Sequence, residues 1–431
     1  MQPSEDPNRR ILARLRRTLG YDSLMASSST QLSSTVAVDR HADTRTAAWA
    51  VGEELAADGG EDASLVVLIG SYHHAAALPE AARTVREAVG SPPLVAITSA
   101  GVLAGPEEMH SGPALAALSI TGPGIRARSF AFDHRDGPPN VWTRGIVRSR
   151  IQPASPPKLV MVFADPFTAG SMALPQAFEA SIPRGTPLMG GLVSGGSQPG
   201  TNVLVADDRV LNAGAVGLVI EGRIDATPIV AHAGRAVGPP LIVTEVDGGT
   251  IRSLGGRPAA EMLDLVLAEL NPRDRERLAG RPLIGIAAEA GRPLHGRGDF
   301  LMRPVAAIDR AGGGLLVPGG APRGSTLRFQ IVDGDTERQD LAMSLDLASL
   351  DERPVTAIIA ASSAGRGPSL LGEDGHDAAR LHARMDAPPL LGFVTAAEIA
   401  PISGRPHLAG LGLSAVAIRP TERIHRIDAA D

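Results

Sequence analysis

One order of segments recurs three times along this chain, and nothing else in it constrains the fold as strongly. The first occurrence has an apolar run "LVVLIG" (65–70), a helix "LPEAARTVREAVG" (78–90) and a second run "PLVAIT" (93–98). Two strand-like runs follow, "ALAALSI" (114–120) and "RARSFAFDH" (126–134). The order returns as "LVMVFAD" (159–165), a helix near 172–181, "LMGGLV", "NVLVADD", "GAVGLVIEG" and "ATPIVAH". It returns again as "VTAIIAAS" (355–362), a helix "DAARLHARM" (377–385), "PLLGFVT" (389–395) and "LGLSAVAI" (411–418). Strand–helix–strand with added strands, three times over, is an internal structural repeat. A helical crossover places the first two strands of each unit parallel, and the short links that follow place the later strands antiparallel. The predicted class is α/β with mixed α+β character: repeated β-α-β-β units forming mixed sheets packed with helices.

The rest of the chain divides around these units. Residues 1–45 read as an appended segment, with a short basic helix "RRILARLRRTLG", a weakly apolar "ASSSTQLSST" and an alternative start at Met25. Residues 46–233 form a first domain that opens on a helix, "TAAWAVGEELAADG". A boundary near "GRAVGPP" opens a second domain, 234–422, and residues 423–431 are a tail. Within the second domain, "RPAAEMLDLVLAEL" (257–270) is an amphipathic helix, 298–334 reads as three strands with Gly-rich turns, and "DTERQDLAMSLDLASL" is a further helix.

Composition removes several function classes. The chain has 431 residues, enough for two or three full cores, and a net charge of −6, which gives no general affinity for nucleic acid. Forty of the 41 basic residues are arginine and only Lys158 is lysine, so no single arginine stands out without context. There are no cysteines, which excludes disulfides, thiolate metal sites and thiol nucleophiles. Aromatic content of 3% argues against base-stacking surfaces. No apolar run has the length of a membrane span and no secretory signal is present, so a soluble cytoplasmic protein is expected.

The stretch "MGGLVSGGSQPG" (189–200) follows an apolar run and fits none of the standard glycine motifs. A P-loop needs lysine and a hydroxyl after its last glycine, and a dinucleotide fingerprint must open a helix. Here "TNVLVADD" reads as a strand, and Ser194 has the wrong spacing for a nucleophile elbow. Similar small-residue breaks end other strands: "GSYHH" (70–74), "TSAGVLAG" (98–105) and "SSAGRG" (362–367). Ligands of parallel sheets bind beyond the strands' C-terminal ends, where glycine admits close approach and serine adds a hydroxyl. Ser99, Gly101, Gly190, Gly191, Ser194, Ser363 and Gly365 are therefore candidate pocket residues, against a reading in which they only make turns. Near them, Arg366 is suited to a ligand carboxylate and Glu398 to an amino group or a structural arginine. His407 can be a base, a haem or metal ligand, or a structural histidine. Metal sites are weak: His73 and His74 diverge, His376 and His382 share no helix face, and no HExxH occurs.

With these residues in place, a family resemblance is legible. "LVVLIGS…PLVAITSAGVLAG…LMGGLVSGG…NAGAVGLVIEG" resembles the N-terminal FIST domain. "DFLMRPVAAIDRAGGGLLV", "SSAGRGPSLLGEDGHD" and "PLLGFVTAAEIAPISGRPHL" resemble the C-terminal FIST domain, the whole spanning roughly 45–420 in two lobes. The resemblance implies an intracellular sensory or signal-transduction module that binds a small ligand such as an amino acid. It implies a separate output partner such as a histidine kinase or chemotaxis receptor, and in some members a haem that senses nitric oxide. Two positions depart from the family pattern: Ser363 stands where a cysteine is usual, and Ala397 where glycine is common. The expectation is a non-catalytic sensor without a cofactor, its ligand a small carboxylate. The alternatives are a haem-binding gas sensor with His407 as axial ligand, and a serine-dependent hydrolase or transferase using Ser363 or Ser194 with His407.

Overall fold

A computed structural model describes residues 31–57, 62–231, 234–289, 291–292 and 295–421. The basic segment at the N-terminus, Met25 and the C-terminal tail lie outside the described residues. Unit one runs β1 (Ser33–Asp39), α1 (Thr44–Ala57), β2 (Leu65–Ser71), α2 (Leu78–Ala88), β3 (Leu94–Ser99), the hairpin β4 (Val102–Ala104) and β5 (Glu107–Met109), and β6 (Leu115–Thr121). Unit two repeats it: β7 (Arg126–Phe132), α3 (Arg144–Ile151), β8 (Leu159–Ala164), α4 (Ala173–Glu179), β9 (Leu188–Leu192), the hairpin β10 (Leu204–Ala206) and β11 (Arg209–Leu211), and β12 (Ala215–Glu221).

Unit three starts with β13 (Ile224–Ala231) and is then interrupted. The insertion comprises β14 (Arg235–Asp247), β15 (Thr250–Leu254), β16 (Arg257–Pro258), α5 (Ala259–Glu269), α6 (Pro272–Gly280), β17 (Leu283–Ala287), β18 (Phe300–Pro304), β19 (Ala307–Asp309), β20 (Gly314–Leu316) and β21 (Thr326–Ile331). The unit resumes with α7 (Gly334–Ala348), β22 (Ala357–Ser363), α8 (Pro368–Leu371), α9 (His376–Arg384), β23 (Leu390–Thr395), the hairpin β24 (Ala397–Ile402) and β25 (Arg405–Leu408), and β26 (Leu413–Pro420).

Three six-stranded sheets share one plan: β1-β6-β2-β3-β10-β11, β7-β12-β8-β9-β24-β25 and β13-β26-β22-β23-β4-β5. Only the crossover pairs β2/β3, β8/β9 and β22/β23 are parallel in them, and the other neighbours are antiparallel, as the link lengths require. The outer two strands of each sheet are borrowed. Unit two lends its hairpin to unit one, unit three to unit two, and unit one to unit three. A fourth sheet, β18-β17-β21-β14-β15-β20-β19, belongs to the insertion.

The inner faces of the three sheets meet in one central core, with Ile69, Ile97, Phe163, Val216, Ala361 and Phe393 among its members. Helices cover the outer faces: α1 and α2 over the first sheet, α3 and α4 over the second, α7 and α9 over the third. Both faces of the inner strands are thus covered, which is why β2, β3, β8, β12 and β22 are buried at every position and read as unbroken apolar runs. In α2 the buried Leu78, Ala81, Ala82 and Val85 fall at helical spacing, and Pro79 sits in the first turn where no backbone donor is lost.

Two expectations change. Ser33–Asp39, read as part of an appended segment, is the edge strand β1, paired with β6 along seven residues. Its alternating "SSTVAVD" was masked by the polar run before it. The stretch 298–334 holds four strands, not three, because the short β19 sits inside what reads as a turn. Gly190 in β9 has φ +122, and a Cβ there would overlap the Val162 carbonyl oxygen of the parallel neighbour β8. Gly190→Ala is expected to destabilise the fold by about 1–3 kcal/mol, seen as a lower denaturant midpoint at unchanged m-value.

Candidate functional site

The second strands of the three units end together, and their hydroxyls stitch the units. Ser99 is fully buried; its Oγ donates to the carbonyls of Gly101 (2.6 Å) and Val394 (3.0 Å) and accepts the Val394 N–H (3.1 Å). Ser194 accepts the Ala100 N–H at 2.9 Å and donates to the Val394 carbonyl. Thr395 Oγ1 donates to the Leu192 carbonyl at 2.7 Å. Ser99, Gly101 and Ser194 are brought together, then, by contacts among units. In the glycine-rich loop, the Gly196 N–H is held by Asn202 Oδ1 (3.0 Å), whose Nδ2 donates to buried Asp165 (3.1 Å). Gly190 and Gly191 let β9 pass tightly between β8 and β24.

Ser363 ends β22; its Oγ accepts the N–H of Leu411 (3.1 Å) and, more distantly, of Gly365 (3.5 Å). Arg366 follows in the same turn and is only 1% exposed. Its Nε and Nη2 donate to the two oxygens of Asp377 (2.6 and 2.9 Å), and its Nη1 to Glu337. Asp377 also accepts from Ser362 Oγ (2.9 Å) and pairs with His376 Nδ1 (3.1 Å). Burial alone raises the Asp377 carboxyl, but the Arg366 charge and these hydrogen bonds outweigh it and hold it well below the usual range. Burial wins at Glu337, which is pushed up to about 8 against the pull of Arg366. Arg366 thus directs its guanidinium to internal acids. Sequence reasoning missed both partners. Glu337 had a readable signal: it shares a helical stripe with the buried Leu341 and Leu345.

Glu398 differs from all of these. Register places Leu204 opposite Ile97, Glu398 opposite Gly191 and Val102 opposite Phe393, at equivalent positions of the three borrowed hairpins. Val102 and Leu204 belong to the central apolar core; the third unit puts a carboxylate there. Glu398 is fully buried, and neither oxygen accepts a well-formed hydrogen bond among the described residues. Burial pushes its carboxyl up to about 7, against the pull of the approaching backbone of Glu398 and Gly412 and of the Arg366 and Arg303 charges.

Arg303, unmarked in the sequence, comes from β18 of the insertion. It donates to the carbonyls of Met302 (2.8 Å) and Leu408 (3.4 Å) and contacts Met172 Sδ (2.9 Å), with no carboxylate partner among the described residues. Burial lowers its pKa, and the charge of Glu398 opposes that shift. His407 pairs with Ala400, so it shares the Glu398 face of the β24/β25 hairpin. Its Nδ1 is buried without a partner, and burial, then Arg405 and Arg303, push its pKa down.

The structure therefore gathers Glu398, Arg303 and His407 but does not assemble a Ser363–His407–Glu398 relay: the hydroxyl of Ser363 is bonded to backbone, and His407 Nδ1 to nothing. His407 has the charged groups Arg405, Glu179 and Arg303 in electrostatic reach, a poor match for the apolar slot a haem requires. Among the described residues, no group of three His, Asp or Glu side chains is placed to hold a metal ion, and no helix is long and apolar enough to cross a membrane.

Fold and site together define a three-unit α/β protein with interchanged hairpins and one unpartnered carboxylate in its core. It belongs to the FIST family: the FIST N domain matches residues 64–257 and the FIST C domain residues 259–401. An uncharacterized protein of Mycobacterium bovis is 31% identical over 370 residues, covering 85% of this chain and 93% of that protein. An uncharacterized protein of Mycobacterium tuberculosis is 31% identical over 364 residues, covering 84% and 92%. Among solved structures, cyanuric acid hydrolase from A. caulinodans aligns with a TM-score of 0.34 and 8% identity, covering 90% of this chain and 100% of that one.

Proposed function

We propose that this FIST protein is a non-catalytic sensory module that binds a small ligand carrying an ammonium group, an amino acid or a close relative, and passes the event to a separate signalling protein. The observation that carries the reading is Glu398. A buried carboxylate without a partner is costly, and a ligand ammonium supplies both the countercharge and the donors it lacks. Arg303, half-buried and without a carboxylate partner among the described residues, is suited to the other end of a zwitterion. Family membership supports the sensory role, and a histidine kinase or chemotaxis receptor is the expected kind of output partner.

The test is a thermal-shift series of the purified protein with single amino acids, the corresponding simple amines and small carboxylates. A true ligand at one hundred times its dissociation constant stabilises by about 2.7 kcal/mol. Glu398→Gln is expected to abolish that shift. Arg303→Ala is expected to weaken the amino acid while leaving the matching amine unaffected. A hit that survives Glu398→Gln unchanged removes Glu398 from the site, and absence of any hit across the series overturns the reading.

A further inference from the structure

A cavity of 370 Å³ opens on the third sheet's helical layer, between α7 and α9. Ala342 of α7 and Ala383 of α9, both exposed, form its apolar floor above the nearly buried Leu341 and Leu345, and Arg338, Arg380 and Arg384 stand around it. Asp346 is the one acid among its lining residues, and the other two acids paired with the arginines, Asp335 and Glu373, stand outside the lining. Arg380 and Arg384 are held by exposed acids alone, Glu373 and Asp346, whereas Arg338 pairs with Asp335 and also donates to the buried Leu371 carbonyl. Exposed ion pairs of this kind contribute little, so the guanidinium groups of Arg380 and Arg384 can turn to a better anion at small loss. The volume is that of a small-molecule pocket, and its apolar floor under a cationic rim fits one chemical class. His376 closes the inner wall with its ring almost wholly buried and bonded to Asp377, which anchors that wall to the Arg366 cluster.

We propose that this cavity is a binding site for a small organic anion with a short apolar chain, its head group forked by Arg380 and Arg384 and its chain laid on Ala342 and Ala383. The site is independent of Glu398 and of the ligand proposed for it.

Calorimetric titration of the full chain with hexanoate and with hexyl phosphate tests this. At least one of them is expected to bind saturably at one site, while hexylammonium and acetate do not. Arg380→Ala combined with Arg384→Ala is expected to weaken the anion roughly tenfold or more at unchanged melting temperature, since both side chains are exposed. Failure of both anions to bind overturns the proposal, as does undiminished binding to the double variant. Acetate binding as tightly as hexanoate overturns the assigned ligand class, because the apolar floor then plays no part.

Discussion

Arg366→Ala is expected to lower the stability of the protein by about 3–5 kcal/mol, the loss seen when one partner of a buried ion cluster is removed. The variant leaves Asp377 and Glu337 facing each other across an empty site in the third sheet's helical layer. Asp377, held far below its ordinary range by Arg366, then has to take up a proton or stay charged without a countercharge. Denaturant titration at neutral pH measures the loss. A change below about 1 kcal/mol shows that the cluster is not the structural element described, and reopens Arg366 as a ligand group. Arg366→Lys is expected to recover little, because a single ammonium cannot fork onto two oxygens of Asp377 while also reaching Glu337.

Glu398→Leu is expected to act in the opposite direction, stabilising the ligand-free protein by about 3 kcal/mol above pH 7. The sign follows from the raised carboxyl. The unfolded chain ionises Glu398 near 4.5, whereas the folded chain holds the proton until about 7. Over that interval the folded state binds more protons, so stability falls as pH rises and the penalty is fully present only above the folded value. Below the unfolded value no penalty exists, and wild type and variant converge apart from packing. Glu337, pushed up to about 8, contributes a slope of the same sign that remains in the variant. Unfolding midpoints at pH 5, 7 and 8.5 separate the two: the variant is expected to show the shallower slope. An equal slope in both proteins shows that Glu398 is not the titrating group. Leucine is the natural replacement, since Leu204 occupies the equivalent position of another unit.

Much of the architecture was legible because it is periodic. Apolar runs such as "LVVLIG" and "LVMVFAD" announce strands covered on both faces, and the helix between paired runs dictates a parallel crossover. Which sheet a hairpin joins was not legible. "VLA" at β4 is three apolar residues, and nothing in them says that they pair with β23, some 290 positions away in the chain. The site suffered from the same blindness to long range. Glu398 was singled out from its apolar context, and the structure gives it no bonded partner. Arg366 was also singled out, yet its acids lie on two separate helices, α7 and α9, which only the fold brings to it. Arg303 carried no mark at all among forty arginines, because its relevance comes from an inserted sheet laid beside the β24/β25 hairpin. The small hydroxyls were read as candidate pocket residues, against a reading as turn residues; that they bind three units to one another needed the register of all three sheets.

The interchange of hairpins also bears on how a binding event is heard. Glu398 is encoded in the third unit but lodged in the second unit's sheet, where it lies opposite Gly191. Glu398 is therefore tied to two units at once, and the hydrogen bonds of Ser194 and Ser99 link these to the first. Like the keyed pieces of a wooden burr puzzle, none of the three can shift alone.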